Sequence, residues 1–319
     1  MASPRFMEAD VADGDGARKR IGPLDMSIGG NYAAVEPSFR SKFGRPPMRA
    51  HESGATINDL IFWRMIDPHW SPLERALVDK STAKAAAQGL CPDLLAPVTL
   101  ALIEMDEVRS PRGLYDVLAA FAGTRAIAKP TQASGGAVFL RTLSGPEDVA
   151  ELHGLATRDY AHVMREMQYA GMPRRVIVEG LVPTLDNTPP DDFKFHCIRG
   201  EPLLCQVDHA RFGAAWSRVL RLPDFAPLDP DDGQNPPGTL VMPGPDRLSA
   251  MTAAARALSA PFDYARIDLY VGIDDIYFGE VTFTPAASLG IAPSWGGCHR
   301  MTPTHRLYSD TLMDAYRRG

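Results

Sequence analysis

The chain has 319 residues, 45% hydrophobic and 23% charged, with a formal net charge of −6 at pH 7. That balance suits two or three packed lobes, since single cores stop growing near about 250–300 residues. It offers no basic footprint for nucleic acid or an anionic membrane, and the longest apolar runs fall well short of the roughly 18 residues of a membrane span. The first twenty residues are charged and polar rather than signal-like. The cysteines, Cys91, Cys197, Cys205 and Cys298, show no CxxC spacing. A cytoplasmic protein with reduced thiols is the expectation.

Residues 1–22, rich in Asp, Gly, Arg and Ala, read as a frayed end. Residues 37–47, with three prolines, read as a loop. The first clear helix start is Ser71-Pro72-Leu73-Glu74, a capping box with proline at the first helical position. One helix is predicted from there to about Gly89, and Lys80 within it reads by itself as a solvated helix charge. Residues 98–105 are predicted as a strand and 113–121 as a helix. Residues 125–143 then read as strand, glycine-rich loop and strand: an apolar run ending in Lys129-Pro130, then Ser134-Gly135-Gly136, then 137–140. Glycines let backbone N–H groups approach a polyphosphate, and a lysine at the strand end adds a point charge. The stretch is not a Walker A loop, which needs GxxxxGK[ST] opening a helix. Taken alone it reads as a hairpin turn.

Residues 145–172 are predicted helical, and 173–182 a strand ending in Glu179-Gly180-Leu181. In the next strand Asp192, Lys194 and His196 share one face, with Phe193, Phe195 and Cys197 opposite; 203–208 is its returning partner. A surface loop over 223–246 and a helix over 246–258 lead to a hairpin whose first strand, 266–271, alternates in chemistry. A loop of three or five residues sets Asp268 opposite Glu280, Arg266 opposite Thr282, Ile267 opposite Val281 and Val271 opposite Tyr277. A four-residue loop would turn Glu280 to the apolar face. A face with one arginine and two carboxylates suits a divalent cation bridging to phosphates, because Mg²⁺ prefers oxygen and usually takes one or two carboxylates. It equally suits a partly buried salt bridge around Arg266.

In order, Asp79-Lys80, Lys129-Pro130 with its glycine-rich loop, V-I-V-E-G-L, D-F-K-F-x-C-x-x-G, R-I-D-L-Y and F-G-E-V-T-F-T-P resemble the ATP-grasp superfamily over about residues 75–295. The set is most similar to the TupA-like branch, the teichuronopeptide-biosynthesis type. The resemblance implies an α+β fold in which two α+β lobes clasp ATP, preceded by a short N-terminal domain. The expected divisions are 1–110, 111–182 with the glycine-rich loop, and 183–319 with the metal site.

It also implies roles. Lys80 and Lys129 would hold the α- and β-phosphates, and the loop with Ser134, Gly135 and Gly136 would fold over the triphosphate. Glu179 would accept from the adenine amino group, while Gly180, Leu181 and Val182 meet the adenine edge through backbone. Asp192 would take the ribose hydroxyls and Lys194 the terminal phosphates. Asp268 and Glu280 would bind Mg²⁺, with Thr282 where the wider superfamily usually has asparagine. Arg266 would hold the oxygens of a developing acyl phosphate. Beyond the hairpin, Ser288, Trp295, Gly296, Gly297, His299 and Arg300 lie where acceptor loops occur in the superfamily, although by themselves they read as a surface loop. Cys298-His299 with His305 lacks the usual zinc spacing.

The implied activity joins a small-molecule carboxylate to an amine at the expense of ATP, with Mg²⁺ as cofactor, on a peptide-like metabolite or a cell-surface polymer precursor. A phosphotransferase on the same fold and a non-catalytic nucleotide-binding subunit are the alternatives, and a homodimer is compatible with either.

Overall fold

The computed structural model describes residues 27–185, 188–209, 216–229, 242–273, 275–290 and 301–319. The stretch expected to fray, and the candidates from Trp295 through Arg300, lie outside them. No helix among the described residues is long and apolar enough to cross a membrane.

Helix α1 (Ile28–Phe43) is capped by Ser27, whose hydroxyl accepts from the Gly30 N–H. Pro37 lies inside this helix rather than in the expected loop. Proline removes one helical N–H donor, but Phe39, fully buried, packs against Phe43 and Phe62 with ring centroids 4.5 and 5.1 Å apart. That aromatic burial outweighs the missing bond. After α2 (Ile57–Ile66), α3 (Pro72–Val78) opens at the expected capping box, with Ser71 N–H donating to Glu74 (2.8 Å) and Glu74 N–H to Ser71 Oγ (3.2 Å).

The single helix predicted to Gly89 breaks at Asp79 and resumes as α4 (Ala83–Leu90). Asp79 accepts from both the N–H (2.9 Å) and the hydroxyl (2.7 Å) of Ser81, a local turn that competes with helix. The break frees Lys80 from a helix surface and points it inward.

Strands β1 (Thr99–Glu104), β2 (Ala126–Pro130), β3 (Val138–Phe139) and β4 (Arg175–Gly180) form an antiparallel sheet in the order β1-β4-β2-β3. Strand β1, expected to belong to the region before residue 111, is an edge of this sheet. Helices α5 (Pro111–Leu118) and α6 (Ala150–Thr157) cover one face through Leu114, Leu118 and Leu152 against Val176 and Val178. The other face presents Lys129 and Glu179. The helix predicted over 145–172 is instead broken: α7 (Tyr160–Met164) starts afresh because Asp159 accepts from the His162 N–H at 3.0 Å.

The second sheet comprises β5 (Asp192–Ile198), β6 (Glu201–His209), β7 (Trp216–Arg221), β8 (Ala226–Pro227), β9 (Tyr264–Val271) and β10 (Ile276–Thr282), all antiparallel, in the order β10-β9-β5-β6-β7-β8. Phe193, Phe195, Ile267, Leu269 and Val281 pack beneath it against Met251, Ala255 and Leu258 of α8 (Pro245–Ser259). Tyr308 and Leu312 of α9 (Pro303–Arg318) join Ile57 and Ile61 of α2 in a neighbouring cluster.

Within the hairpin, Arg266 pairs with Thr282, Ile267 with Val281 and Asp268 with Glu280, as expected. The loop, however, spans residues 272–275, and Val271 pairs with Ile276, not Tyr277. A bulge between Phe278 and Glu280 leaves Gly279 without a partner and returns Glu280 to the face of Asp268. A Cβ on Gly279 would stand 2.7 Å from the Asp268 carbonyl oxygen, a backbone atom that cannot easily give way. Gly279→Ala is therefore expected to cost about 1–3 kcal/mol, in the range of other overpacking changes. Urea denaturation measures this, and an unchanged midpoint would show that the bulge tolerates a side chain.

Candidate active site

On the four-stranded sheet, antiparallel pairing puts Ile127 beside Glu179 and Lys129 beside Ile177, so the lysine and the glutamate share a face. Lys129 Nζ lies 3.0 Å from one Glu179 oxygen, and Lys84 of α4 pairs with the other. Lys84 also donates to the Pro97 carbonyl and the Thr99 hydroxyl, both at 2.7 Å. Despite the desolvation that burial imposes, Lys129 and Lys84 hold the Glu179 carboxyl below its usual range. Lys84 was missed in the sequence; its one signal was its place four residues after Lys80, on the same side of any helix. Gly180 and Leu181 spend their N–H groups on the Val98 and Arg125 carbonyls (2.9 and 3.0 Å). Of the three residues expected at the adenine edge, only Val182 has an N–H that makes no backbone bond among the described residues.

The glycine-rich loop is held at both sides. Lys80 donates its N–H to the Thr131 carbonyl (3.2 Å) and its ammonium to the Ala133 carbonyl (2.8 Å). Gln132 donates to the last-turn carbonyl of Ala156 in α6 at 2.9 Å. Gly135 and Gly136 have φ of 85° and 65°, left-handed backbone that favours glycine. At Gly136 a Cβ would also meet Leu155 at 2.6 Å. Burial pushes the Lys80 ammonium below its ordinary value while Glu280 and Glu179, one from each sheet, pull it back up. Lys80 thus stands electrostatically between the two sheets, not on a solvated helix.

The six-stranded sheet carries a row of charge across four strands. Register sets Lys194 beside Asp268, and Asp192 beside Asp208 of β6. Lys194 contacts Asp192 and lies 3.2 Å from Asp268 and 3.5 Å from Asp208. Burial works against that ammonium, yet Asp192 and Asp268 hold it above its ordinary value. Arg266 donates to both oxygens of Asp268 (2.7 Å each), to Glu280 (2.8 Å) and to Thr282 (3.1 Å). Asp268 is buried, and desolvation pushes its carboxyl up to about 6 against the pull of Arg266 and Lys194. The hairpin face forms a salt bridge around Arg266, one of the two arrangements its spacing allows. Asp208 was also missed; its signal lay in the hairpin register that sets it opposite Asp192.

Four carboxylates, Asp192, Asp208, Asp268 and Glu280, thus meet two cations, Lys194 and Arg266, on this face. The shortfall of positive charge suits a divalent cation arriving with phosphate. Among the described residues no three His, Cys, Asp or Glu side chains gather as an all-protein metal cage; magnesium needs none when phosphates complete its shell. Past Thr282 the chain turns through left-handed backbone at Ala286, Ala287 and Ser288 (φ 51°, 47° and 67°). Asn58 anchors that turn at the Ser288 carbonyl (2.8 Å) and contacts the buried His305 (2.8 Å).

Two charged sheet faces with a lysine and a glycine-rich loop between them are the features of a nucleotide-clasping α+β fold. The profile of the TupA-like ATP-grasp family matches residues 116–291, more than half of the chain, and the chain belongs to that family. It has the ATP-grasp fold. Among solved structures, it is similar to the ATP-grasp ligase PsnB complexed with minimal precursor, at 12% identity and TM-score 0.38, over 77% of this chain and 62% of that one. It is also similar to the VanG D-Ala:D-Ser ligase from Enterococcus faecalis, at 13% identity and TM-score 0.39, over 76% and 63%. The D-alanine–D-alanine ligase from Bacillus anthracis, complexed with ATP, is a third, at 14% identity and TM-score 0.38, over 77% and 68%. The chain thus spans just over six-tenths of the length of the first of these ligases. No curated protein matches the sequence.

Lys129→Met should weaken binding of Mg·ATP by about tenfold or more, the loss expected for a charge-assisted hydrogen bond. The fold should survive, because Lys84 still pairs with Glu179. Titration calorimetry with Mg²⁺ present measures it, and unchanged affinity would remove Lys129 from the phosphate site.

Proposed function

We propose that the protein is an ATP-dependent carboxylate–amine ligase that forms an amide or peptide bond through an acyl phosphate. The observation that carries this reading is the row of four carboxylates and two cations across the six-stranded sheet, facing Lys80 and a second lysine–carboxylate cluster on the other sheet. Phosphoryl transfer depends on positioning and charge neutralisation more than on covalent chemistry by the protein, and this row supplies both. Its substrates would be a small-molecule carboxylate and an amine belonging to a peptide-like metabolite or a cell-surface polymer precursor. The lobes would run over 111–182 and 183–319, with β1 added to the first.

Each residue then has a task. Glu179 and the Val182 N–H take the adenine, and Asp192 the ribose. Lys80 and Lys129 leave the Ala133 carbonyl and Glu179 for the α- and β-phosphates. Magnesium, held by Asp268 and Glu280 with the Thr282 hydroxyl beside them, would neutralise charge on the phosphoryl group in transit. The substrate carboxylate attacks the γ-phosphorus as the bond to the β,γ-bridging oxygen breaks, giving an acyl phosphate and ADP. The amine then attacks the acyl carbon, phosphate leaves, and the amine's proton is lost. Lys194 and Arg266 bind the oxygens on which charge develops. The glycine-rich loop excludes water, which would otherwise hydrolyse the intermediate.

Asp268→Asn and Glu280→Gln are each expected to abolish turnover at ordinary magnesium, with partial recovery of Asp268→Asn at high Mg²⁺. Near-normal rates in both would leave the hairpin face a structural salt bridge. Chemistry is tested by the products: ATP should yield ADP and phosphate, and hydroxylamine in place of the amine should trap a hydroxamate of the carboxylate substrate. Arg266→Ala should lower the hydroxamate yield far more than nucleotide affinity, because its partner charge appears only during reaction. A stable phosphorylated acceptor would point to a kinase, and AMP would overturn the assignment.

A further inference from the structure

Arg247 takes no part in the site described above. It stands in the first turn of α8, the end at which the helix dipole disfavours a cation. Its guanidinium is spent elsewhere: it donates to the Gly272 carbonyl at 3.1 Å and to the Ile273 carbonyl at 2.6 Å, both in the loop of the β9–β10 hairpin. The Gly272 N–H closes that loop by donating to the Asp275 carbonyl at 2.8 Å. The Ile273 side chain is 40% exposed, so backbone bonds rather than packing hold the residue in place. One of them leaves the hairpin: the Ile273 N–H donates to the Pro183 carbonyl at 2.9 Å. Gly272 lies against the same carbonyl, and a Cβ there would stand 3.2 Å from it and 2.6 Å from the Tyr277 ring.

Pro183 directly follows the segment expected at the adenine edge. Leu181 donates to the Arg125 carbonyl, just before β2, whereas Pro183 accepts from the hairpin of the other sheet. Val182, whose N–H makes no backbone bond among the described residues, sits between these two anchors.

We propose that Arg247 is a positioning residue for adenine: by clamping the hairpin loop onto α8 it fixes the Pro183 carbonyl through the Ile273 N–H, and so aims the Val182 N–H at the base. The same hairpin carries Asp268, three steps of about 3.3 Å back along β9 from Val271. The base and the metal are thereby set from one element. The proposal rests on the reading of Val182 as the adenine contact of an ATP-dependent ligase.

The test uses the full chain with Mg²⁺ and saturating AMPPNP, a nucleotide that is not turned over. It reads amide hydrogen exchange at Val182 and over the glycine-rich loop, residues 131–137. In the native protein the nucleotide should slow exchange at both. Arg247→Ala should lose most of the protection at Val182, keep that of the loop, and weaken AMPPNP binding about fivefold to tenfold, as for one charged hydrogen bond. Gly272→Ala, which pushes on the Pro183 carbonyl and leaves Arg247 intact, should do the same, and it decides the matter if Arg247→Ala does not fold. Arg247→Lys, a cation without the planar fork for two carbonyls, should fall in between. A role confined to stability would lower the unfolding midpoint and leave protection at Val182 native-like. That result in either folded variant, or equal loss at Val182 and in the loop, overturns the proposal and leaves the ligase reading standing. Protection of the loop alone in the native protein overturns the adenine contact and the proposal together, and protection at neither site overturns the ligase reading as well.

Discussion

Arg266 is the centre on which the site depends. Its guanidinium bonds both oxygens of Asp268 and reaches across to Glu280 and Thr282 on the neighbouring strand. Planar, bidentate recognition of this kind is what arginine does and lysine does not. Buried carboxylates are tolerated only when paired and hydrogen-bonded, so the arginine lets Asp268 sit nearly fully buried in the sheet. Lys194 extends the same compensation to Asp192 and Asp208. The hairpin geometry is therefore held by charge as well as by the apolar face beneath it.

This arrangement has a consequence for binding. Under the proposed roles, the three cations Lys129, Lys80 and Arg266 each already have an internal partner: Lys129 holds Glu179, Lys80 holds a loop carbonyl, and Arg266 holds Asp268 and Glu280. On those roles, binding Mg·ATP would be an exchange of ion pairs rather than the filling of an empty charged cleft, and affinity would reflect a difference between two well-compensated states. Lys84 would stay on Glu179 through such an exchange, because two other acceptors, the Pro97 carbonyl and the Thr99 hydroxyl, also hold it in place.

Much of this was legible in the chain. Alternation of apolar and charged residues defined the faces of β5 and β9, and the ordered motifs pointed to the fold. The register of Asp268 against Glu280 was also readable, although the expected route to it, an odd-length loop, was not the one taken. A loop over 272–275 and a bulge at Gly279 reach the same pairing, because what packing demands is the face on which Glu280 lies. The misplaced elements share another cause. Pro37 within α1, the break at Asp79 and the restart at Asp159 each depend on an aromatic contact or a side-chain cap that outweighs helical periodicity.

By itself, then, the sequence determined the composition of each strand face and the order of the charged motifs, since both are local properties with a fixed period. Only the tertiary structure decided which charges meet. Lys84 and Lys129 converge on Glu179 from a helix and a strand 45 residues apart, and Asp208 joins Lys194 through strand pairing. Glu166 and Thr284 come together although 118 residues separate them. Pairing of buried charge is set by distances across the fold, and those are fixed by packing over the whole chain rather than by any local pattern.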